Sequence, residues 1–264
     1  MDMLKNEIAT MLAALRTAID NHSAEHPTGT LPAPGRAQIR TGTNTASTVG
    51  TLITSAHTTL EKLRWDDTLY PDGRKRMMGD VLTDAEEKAQ QKVSQIDANA
   101  TVARASFIVT ALPTLTKGRE LVAREDARMI LDKEDDPVTA LGRLALRQDD
   151  VGALAVTQWG ADYLRSRGCD DREIELAQQV IIGHALNGAA DQNADQERSA
   201  AARGARAAES LLGIRDAAMQ TASMLLQSMR EHYGVPRADT ATPRDPRRPA
   251  APTVLGEDIG PLSF

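Results

Sequence analysis

The sequence predicts an all-α protein, a multi-helix bundle with two long helices, an irregular N-terminal arm and an extended proline-rich C-terminal tail. Two observations lead to this prediction. Apolar residues recur at steps of three and four along most of the chain, the spacing that places them on one face of an α-helix. Aromatic residues are only 3% of the 264 residues. Small aliphatic side chains must therefore build the core, and they suit close helix packing better than a β-sandwich.

The N-terminal region divides into a helix and an arm. Residues 3–23 place their large apolar side chains on one helical face. Residues 24–50 contain three prolines, four glycines and many threonines, so we expect an extended arm or loop there. Such a long irregular segment either binds a neighbour or acts as a flexible linker.

A helical body is expected over residues 51–233. After a first helix at 51–65, the run Tyr70-Pro71-Asp72-Gly73 indicates a turn. A long helix over 74–111 follows and would measure roughly 55 Å. Its apolar stripe has near-heptad spacing, and its members are Met78, Leu82, Ala85, Ala89, Val93, Ile96, Ala100, Ala103 and Phe107.

Five further helices are predicted after Pro113. Carboxylates that can cap helix N-termini precede three of them, and Gly234 with Pro236 ends the last. The predicted spans are 115–134, 137–147, 150–168, 171–187 and 194–232. The apolar residues of the first are Leu115, Leu121, Val122, Met129, Ile130 and Leu131.

The tail, residues 234–264, is rich in proline and is predicted to be extended. It also contains arginines and large apolar residues, which a purely solubilising tail does not need. We therefore expect it to dock on a protein partner, with simple solubilisation as the alternative. The candidate partner-binding residues are Arg237, Arg244, Arg247, Arg248, Val254, Leu255, Ile259, Leu262 and Phe264.

Charge and composition exclude several classes of protein. A net charge of −6 disfavours nucleic-acid binding, because phosphate repels an acidic chain. No apolar run approaches the ~20 residues that span a bilayer, and the N-terminus lacks the features of a signal peptide. The single cysteine, Cys169, allows no intrachain disulfide and fits a reducing compartment.

Catalytic motifs are missing from the sequence. It contains no HExxH, P-loop, GxGxxG or GxSxG pattern. His22 and His26 are four residues apart but lack a third ligand, so we expect two solvent-exposed histidines rather than a zinc site. His184 is expected to be a hydrogen-bonded helix residue, and Cys169 to be inert. We therefore expect no catalytic residues, no cofactor and no metal.

The acidic clusters at 66–67, 134–136 and 149–150 are interpreted as helix and turn caps rather than ion sites. One enzymatic alternative stays open. It is an all-α enzyme whose site combines scattered side chains of Trp159, Asp162, Tyr163 and His184.

The run from Trp65 to Arg74, followed by a long Ala/Glu/Gln/Lys-rich helix, resembles minor structural proteins of tailed bacteriophages of high-GC Gram-positive hosts. The resemblance covers about residues 60–110. It implies a virion or assembly component (a minor capsid, connector or scaffold-like protein) made in the host cytoplasm. Its partners would be copies of itself, or capsid or connector proteins. The alternative is a bacterial helical adaptor or regulatory module that binds a partner through its C-terminal tail.

Overall fold

The computed structural model describes residues 3–191 and 195–236. Over these residues the chain forms nine α-helices and one 3-10 turn, Thr28–Thr30, and no strand. The all-α class and the two long helices are therefore confirmed. The helices are α1 Met3–Glu25, α2 Ala33–Arg64, α3 Pro71–Ala111, α4 Glu120–Leu131, α5 Pro137–Ala145, α6 Asp150–Ala155, α7 Gln158–Ser166, α8 Asp171–Asp191 and α9 Gln196–Tyr233.

Helices α1, α2, α3 and α9 form an up-down-up-down four-helix bundle. Cross-helix pairs give the directions: Asp97 and Glu86 of α3 bond Arg215 and Arg230 of α9, so the two long helices are antiparallel. The same reversal relates α1 to α9, through Glu7 with Ser228 and His22 with Ser210.

The bundle core is made mostly of alanine and aliphatic side chains. Every residue of the stripe predicted on α3 is buried, from Met78 to Phe107. Short alanine side chains let the backbones of α3, α2 and α9 approach closely, as in knobs-into-holes packing. The heptad-like spacing therefore predicted the inner face of α3 correctly.

The predicted extended arm at 24–50 is wrong for most of its length, because α2 begins at Ala33. Glycine and threonine are poor helix formers, but burial of apolar residues overrides that preference. Ile39, Val49 and Ile53 are completely buried in the bundle core. Threonine hydroxyls also bond to carbonyl oxygens one turn back, as Thr45 does to Thr41 at 2.8 Å.

The predicted turn at Tyr70–Gly73 is also wrong, because α3 begins at Pro71 and the turn residues form its first turn. A proline at the first helical position has no N–H to leave unpaired, and its backbone angle already suits a helix. The backbone N–H of Arg74 donates to the carbonyl oxygen of Tyr70 at 2.9 Å, which closes the first turn.

Helices α4–α8 form a second core, here called the end module. Its α5 begins at Pro137 with Asp136 as N-cap, as predicted. The predicted helix 150–168 is instead two helices, α6 and α7, and the side chain that caps α6 is that of Asp149. The break follows because the hydroxyl of Thr157 donates to Leu154 O at 2.8 Å, a local bond that competes with helix continuation.

Two other boundaries in the end module differ from the prediction. Helix α4 covers only Glu120–Leu131. Of the apolar residues predicted along it, Leu121, Val122 and Met129 are exposed, whereas Leu131 is buried. Ala123 and Ala127 complete its inner face. Helix α8 continues beyond the predicted end at residue 187, because Leu186 and Ala189 pack into the bundle core.

The end module joins the bundle where α3 ends and α9 begins. Arg198 of α9 donates to the side chain of Gln148 at 2.6 Å and to Ala111 O at 3.3 Å. Arg206 of α9 donates to Asn187 of α8. At the opposite end of α9, Gly234 takes a left-handed conformation (φ 62°) and ends the helix as predicted. Across the described residues, no helix is long and apolar enough to cross a membrane.

Candidate functional site

The candidate partner-binding residues of the tail all lie in 237–264, outside the described residues. They therefore stay predictions. The described part of the chain offers two other surfaces that suit a partner: a cleft between α1 and α2, and a cavity on α7.

The cleft between α1 and α2 has a volume of about 730 Å³. It forms because α1 leans toward α9 and leaves a gap on its α2 side. Leu12, Leu15 and Ile19 of α1 supply one apolar wall. The α2 wall consists of Ser47, Gly50, Thr51, Thr54, Ser55, Thr58, Thr59 and Lys62, with Arg16 of α1 at the edge.

The α2 wall belongs to a longer uncharged surface. Residues 41–60 contain no Asp, Glu, Lys or Arg, although charged residues are 26% of the chain. We call its exposed side chains the hydroxyl face; they are Thr41, Asn44, Ser47, Thr48, Thr51, Thr54, Ser55, Thr58 and Thr59. The sequence reasoning missed this face, although the charge-free run was visible in the sequence.

Several hydroxyls of this face already have acceptors inside α2. Thr54, Thr58 and Thr59 each donate at 2.9 Å to the carbonyl oxygen four residues earlier. Burying a polar group is costly mainly when it loses its hydrogen bond. A partner could therefore cover this face without leaving these hydroxyl donors unpaired.

The second surface is a cavity of about 390 Å³ between α4 and α7, here called the aromatic cavity. The rings of Trp159 and Tyr163 stack one helical turn apart, with centroids 6.0 Å apart and planes 16° apart. Both side chains are partly buried against the end-module core. The other lining residues are Arg128, Leu131, Asp132, Asp162 and Ser166.

Only three of the four residues proposed for an all-α enzyme site lie together in the structure. Trp159, Asp162 and Tyr163 line the aromatic cavity, but His184 lies against α5. A β carbon added to Gly142 would approach the His184 imidazole to 2.9 Å. The histidine therefore fills a close helix contact rather than the aromatic cavity.

His22 and His26 also differ from the prediction, because His22 is buried with only 3% of its surface exposed. Its Nδ1 lies 3.1 Å from the Ser210 hydroxyl. The pKa of His22 is lowered to about 4, chiefly by burial and also by the neighbouring His26, while Glu25 opposes the shift. Among the described residues, no group of three or more His, Cys, Asp or Glu side chains is placed to hold a metal ion.

The capping interpretation is confirmed for one residue in each of two acidic clusters, Asp136 and Asp149. Asp136 accepts from the N–H of Val138 and Thr139, and its pKa is lowered chiefly by the Thr139 hydroxyl. Asp149 accepts from the N–H groups of Val151 and Gly152. Burial raises the pKa of Asp149, but Arg147 and these N–H groups bring it below its ordinary value.

No protein-family model, no curated protein and no solved structure is similar to this chain. The two surfaces described above and the charge pattern around them are therefore the features of this chain that bear on its function.

Proposed function

We propose that this chain is a non-enzymatic structural or assembly protein, a component of a tailed-phage virion that binds copies of itself and its neighbours through its helices. Minor capsid, connector and scaffold-like roles all fall within this proposal. The observation that carries it is the hydroxyl face of α2 beside the cleft between α1 and α2.

The charge distribution supports a protein interface on this face. Charged residues are depleted from the centres of protein interfaces, because desolvating a charge is costly. Copies of a chain with net charge −6 repel one another, and a neutral face weakens that repulsion locally. Twenty residues of helix give this face a length of about 30 Å, which matches the scale of a helix–helix interface.

A protein interface is also supported by residues 65–74, which comprise the link between α2 and α3 and the first turn of α3 and lie in the run that resembles phage structural proteins. The guanidinium of Arg74 donates to Asp66 O at 2.5 Å and to Leu69 O at 3.3 Å, which braces this link. Trp65 and Tyr70 are 72% and 87% exposed. Large exposed aromatic side chains of this kind are common anchors at protein interfaces.

The first test is the solution mass of the full chain, measured by size-exclusion chromatography with light scattering over a concentration series. We expect a defined oligomer or a larger assembly. Thr51→Lys places a charge on the hydroxyl face and should shift the chain toward the monomer. Thr101→Lys, an exposed threonine of α3, is the matched control and should leave the mass unchanged.

A chain that stays at 28.4 kDa at every concentration would contradict self-association. That result would instead favour an adaptor that binds a different protein. Equal masses for wild type and Thr51→Lys in an assembled protein would show that the hydroxyl face is not the interface.

A further inference from the structure

We propose that a proline row in the tail of one copy docks in the aromatic cavity of a second copy, and so joins the chains head to tail. The proline row is Pro243, Pro246, Pro249 and Pro252. This inference rests on the proposed function and deepens it, because it names the two surfaces that meet and the segment that occupies the cavity.

The spacing of the proline row suits an aromatic groove. The four prolines recur at every third residue, and a polyproline II helix has three residues per turn. In that conformation all four rings would share one edge. Proline-rich segments bind grooves lined by aromatic side chains, because the extended helix loses little entropy when it docks.

The aromatic cavity offers the matching surface on the described part of the chain. The stacked rings of Trp159 and Tyr163 are spaced 6.0 Å apart along α7. An apolar floor is supplied by Leu131, which is only 4% exposed. Trp, Tyr and Arg are the side chains most enriched where interface binding energy concentrates.

Charge favours the same pairing. The segment 243–252 contains three arginines and one aspartate. The residues that carry the cavity, 112–191, contain 15 Asp and Glu against 10 Lys and Arg. At the cavity itself, Asp132 and Asp162 provide carboxylates for the arginines of the tail. Arg128 opposes this charge pairing, although its aliphatic stem adds packing surface.

The length of α9 separates the start of the tail from the end module, and this distance favours a second copy as the docking partner of the proline row. The end module is attached at the start of α9, where Arg206 bonds Asn187 of α8. From Arg206 to Tyr233 the helix rises about 40 Å. The seven residues from Pro236 to Pro243 span at most about 25 Å, too little to bring the start of the row back to the level of Arg206, so we assign the full row to the end module of a second copy.

Docking between copies would join two different surfaces. Such a heterologous contact repeats from copy to copy and forms a ring or an open filament. Each interface then needs one intact tail and one intact cavity, and this requirement can be tested with full-length variants.

The test mixes two complementary variants. The cavity variant is Trp159→Ala, which keeps the tail. The tail variant replaces Pro243, Pro246, Pro249 and Pro252 by alanine, which keeps the cavity. With the hydroxyl face blocked by Thr51→Lys in both chains, light scattering should show each variant at 28.4 kDa, with at least a tenfold weaker self-association than the Thr51→Lys chain alone. An equimolar mixture should form a dimer of twice that mass and nothing larger, because one tail and one cavity remain unmatched.

Matched controls separate docking from folding. Val109→Ala removes an exposed apolar side chain of α3 outside the cavity, and Pro261→Ala removes a proline outside the row; both should assemble as wild type does. Circular dichroism melting shows whether Trp159→Ala stays folded. Asp132→Lys, an exposed change at the cavity rim, keeps both rings and should weaken assembly several-fold, more at low salt than at high salt.

Three outcomes would overturn the inference. If both variants assemble as wild type does, another surface joins the chains, and the proposed function stands without this docking. If both lose assembly but their mixture forms no dimer, the tail does not occupy the cavity of a second copy. If wild type itself is monomeric at every concentration, both this inference and the self-association in the proposed function fail.

Discussion

The ring of Phe107 fills the space in which residue 204 would otherwise carry a side chain. A β carbon added to Gly204 would lie 2.7 Å from Cδ1 and Cε1 of that ring. Gly35 lies against the same ring, with its own β carbon position 2.8 Å from Cε2, and has a positive φ of 87°. The fully buried phenylalanine of α3 thus packs against glycines of both α2 and α9.

Gly204→Ala should lower the free energy of unfolding by about 1–3 kcal/mol, because the new methyl group overpacks a rigid ring. Gly213→Ala is the matched control on the same helix, since its β carbon would meet nothing within 4 Å. It should raise the stability by about 0.5–1 kcal/mol, because alanine is a better helix former than glycine. Urea denaturation of both variants measures the difference, and equal effects would contradict this account of the ring.

The stability should fall in mildly acidic solution because of His22. Its pKa is lowered to about 4 by burial, so below pH ~6.5 the unfolded chain takes up a proton that the folded chain does not. The free energy of unfolding should therefore decrease by about 1.4 kcal/mol per pH unit as the pH falls from ~6.5 to ~4. Urea denaturation at several pH values between 7.5 and 5 measures this slope.

His22→Gln should flatten that slope, whereas His26→Gln, at a partly exposed neighbour, should keep most of it. The comparison is made above pH ~5, where the ordinary pKa values of carboxylates leave them charged in the unfolded chain. The same slope in wild type and His22→Gln would exclude His22 as its source.

The close approach of α8 to the loop after α5 gives a third expectation. A β carbon on Gly188 would lie 2.1 Å from the carbonyl oxygen of Leu146, a backbone atom that cannot move aside easily. Gly188→Ala should therefore destabilise the fold by more than 2 kcal/mol. Gly183→Ala, in the same helix with nothing within 4 Å, should stabilise it slightly. Thermal melting of the two variants distinguishes a steric effect from a helix-propensity effect.

The cap of α6 gives a fourth expectation. Asp149→Ala removes the acceptor for Val151 and Gly152 N–H and should cost about 1–2 kcal/mol. Asp149→Asn keeps a capping oxygen and should recover most of that loss. If alanine and asparagine have equal effects on the denaturation midpoint, the cap does not stabilise α6 measurably.

The long helices were predictable because their apolar stripes are long and regular. The stripe of α3 runs from Met78 to Phe107 in steps of three and four residues, and the caps at Asp136 and Gly234 carry strong local signals. The part of α2 between residues 33 and 50 was not predictable in the same way, because its glycines and threonines favour an irregular chain locally. Its helical state depends on burial of Ile39 and Val49 by distant helices.

The candidate surfaces were less visible in the sequence than the fold. Trp159 and Tyr163 are four residues apart, so their stacking on one helix face could have been anticipated. Their contact with Arg128 of α4 and with Asp132, the residue after α4, depends on tertiary packing and could not be anticipated. The buried state of His22 likewise depends on Ser210, which lies 188 residues away in sequence.

The order of synthesis matters for a bundle whose largest interface joins its third helix to its last. Arg104 of α3 and its partner Glu209 of α9 are 105 residues apart, and the whole end module is made between them. At about 5–20 residues per second, the ribosome needs roughly 5–20 s to supply that partner. During this interval the apolar stripe of α3, which α2 already covers in part, lacks the second helix that covers it. The nascent chain must therefore pass through a stage in which its longest helix is exposed to chaperones or to other nascent copies.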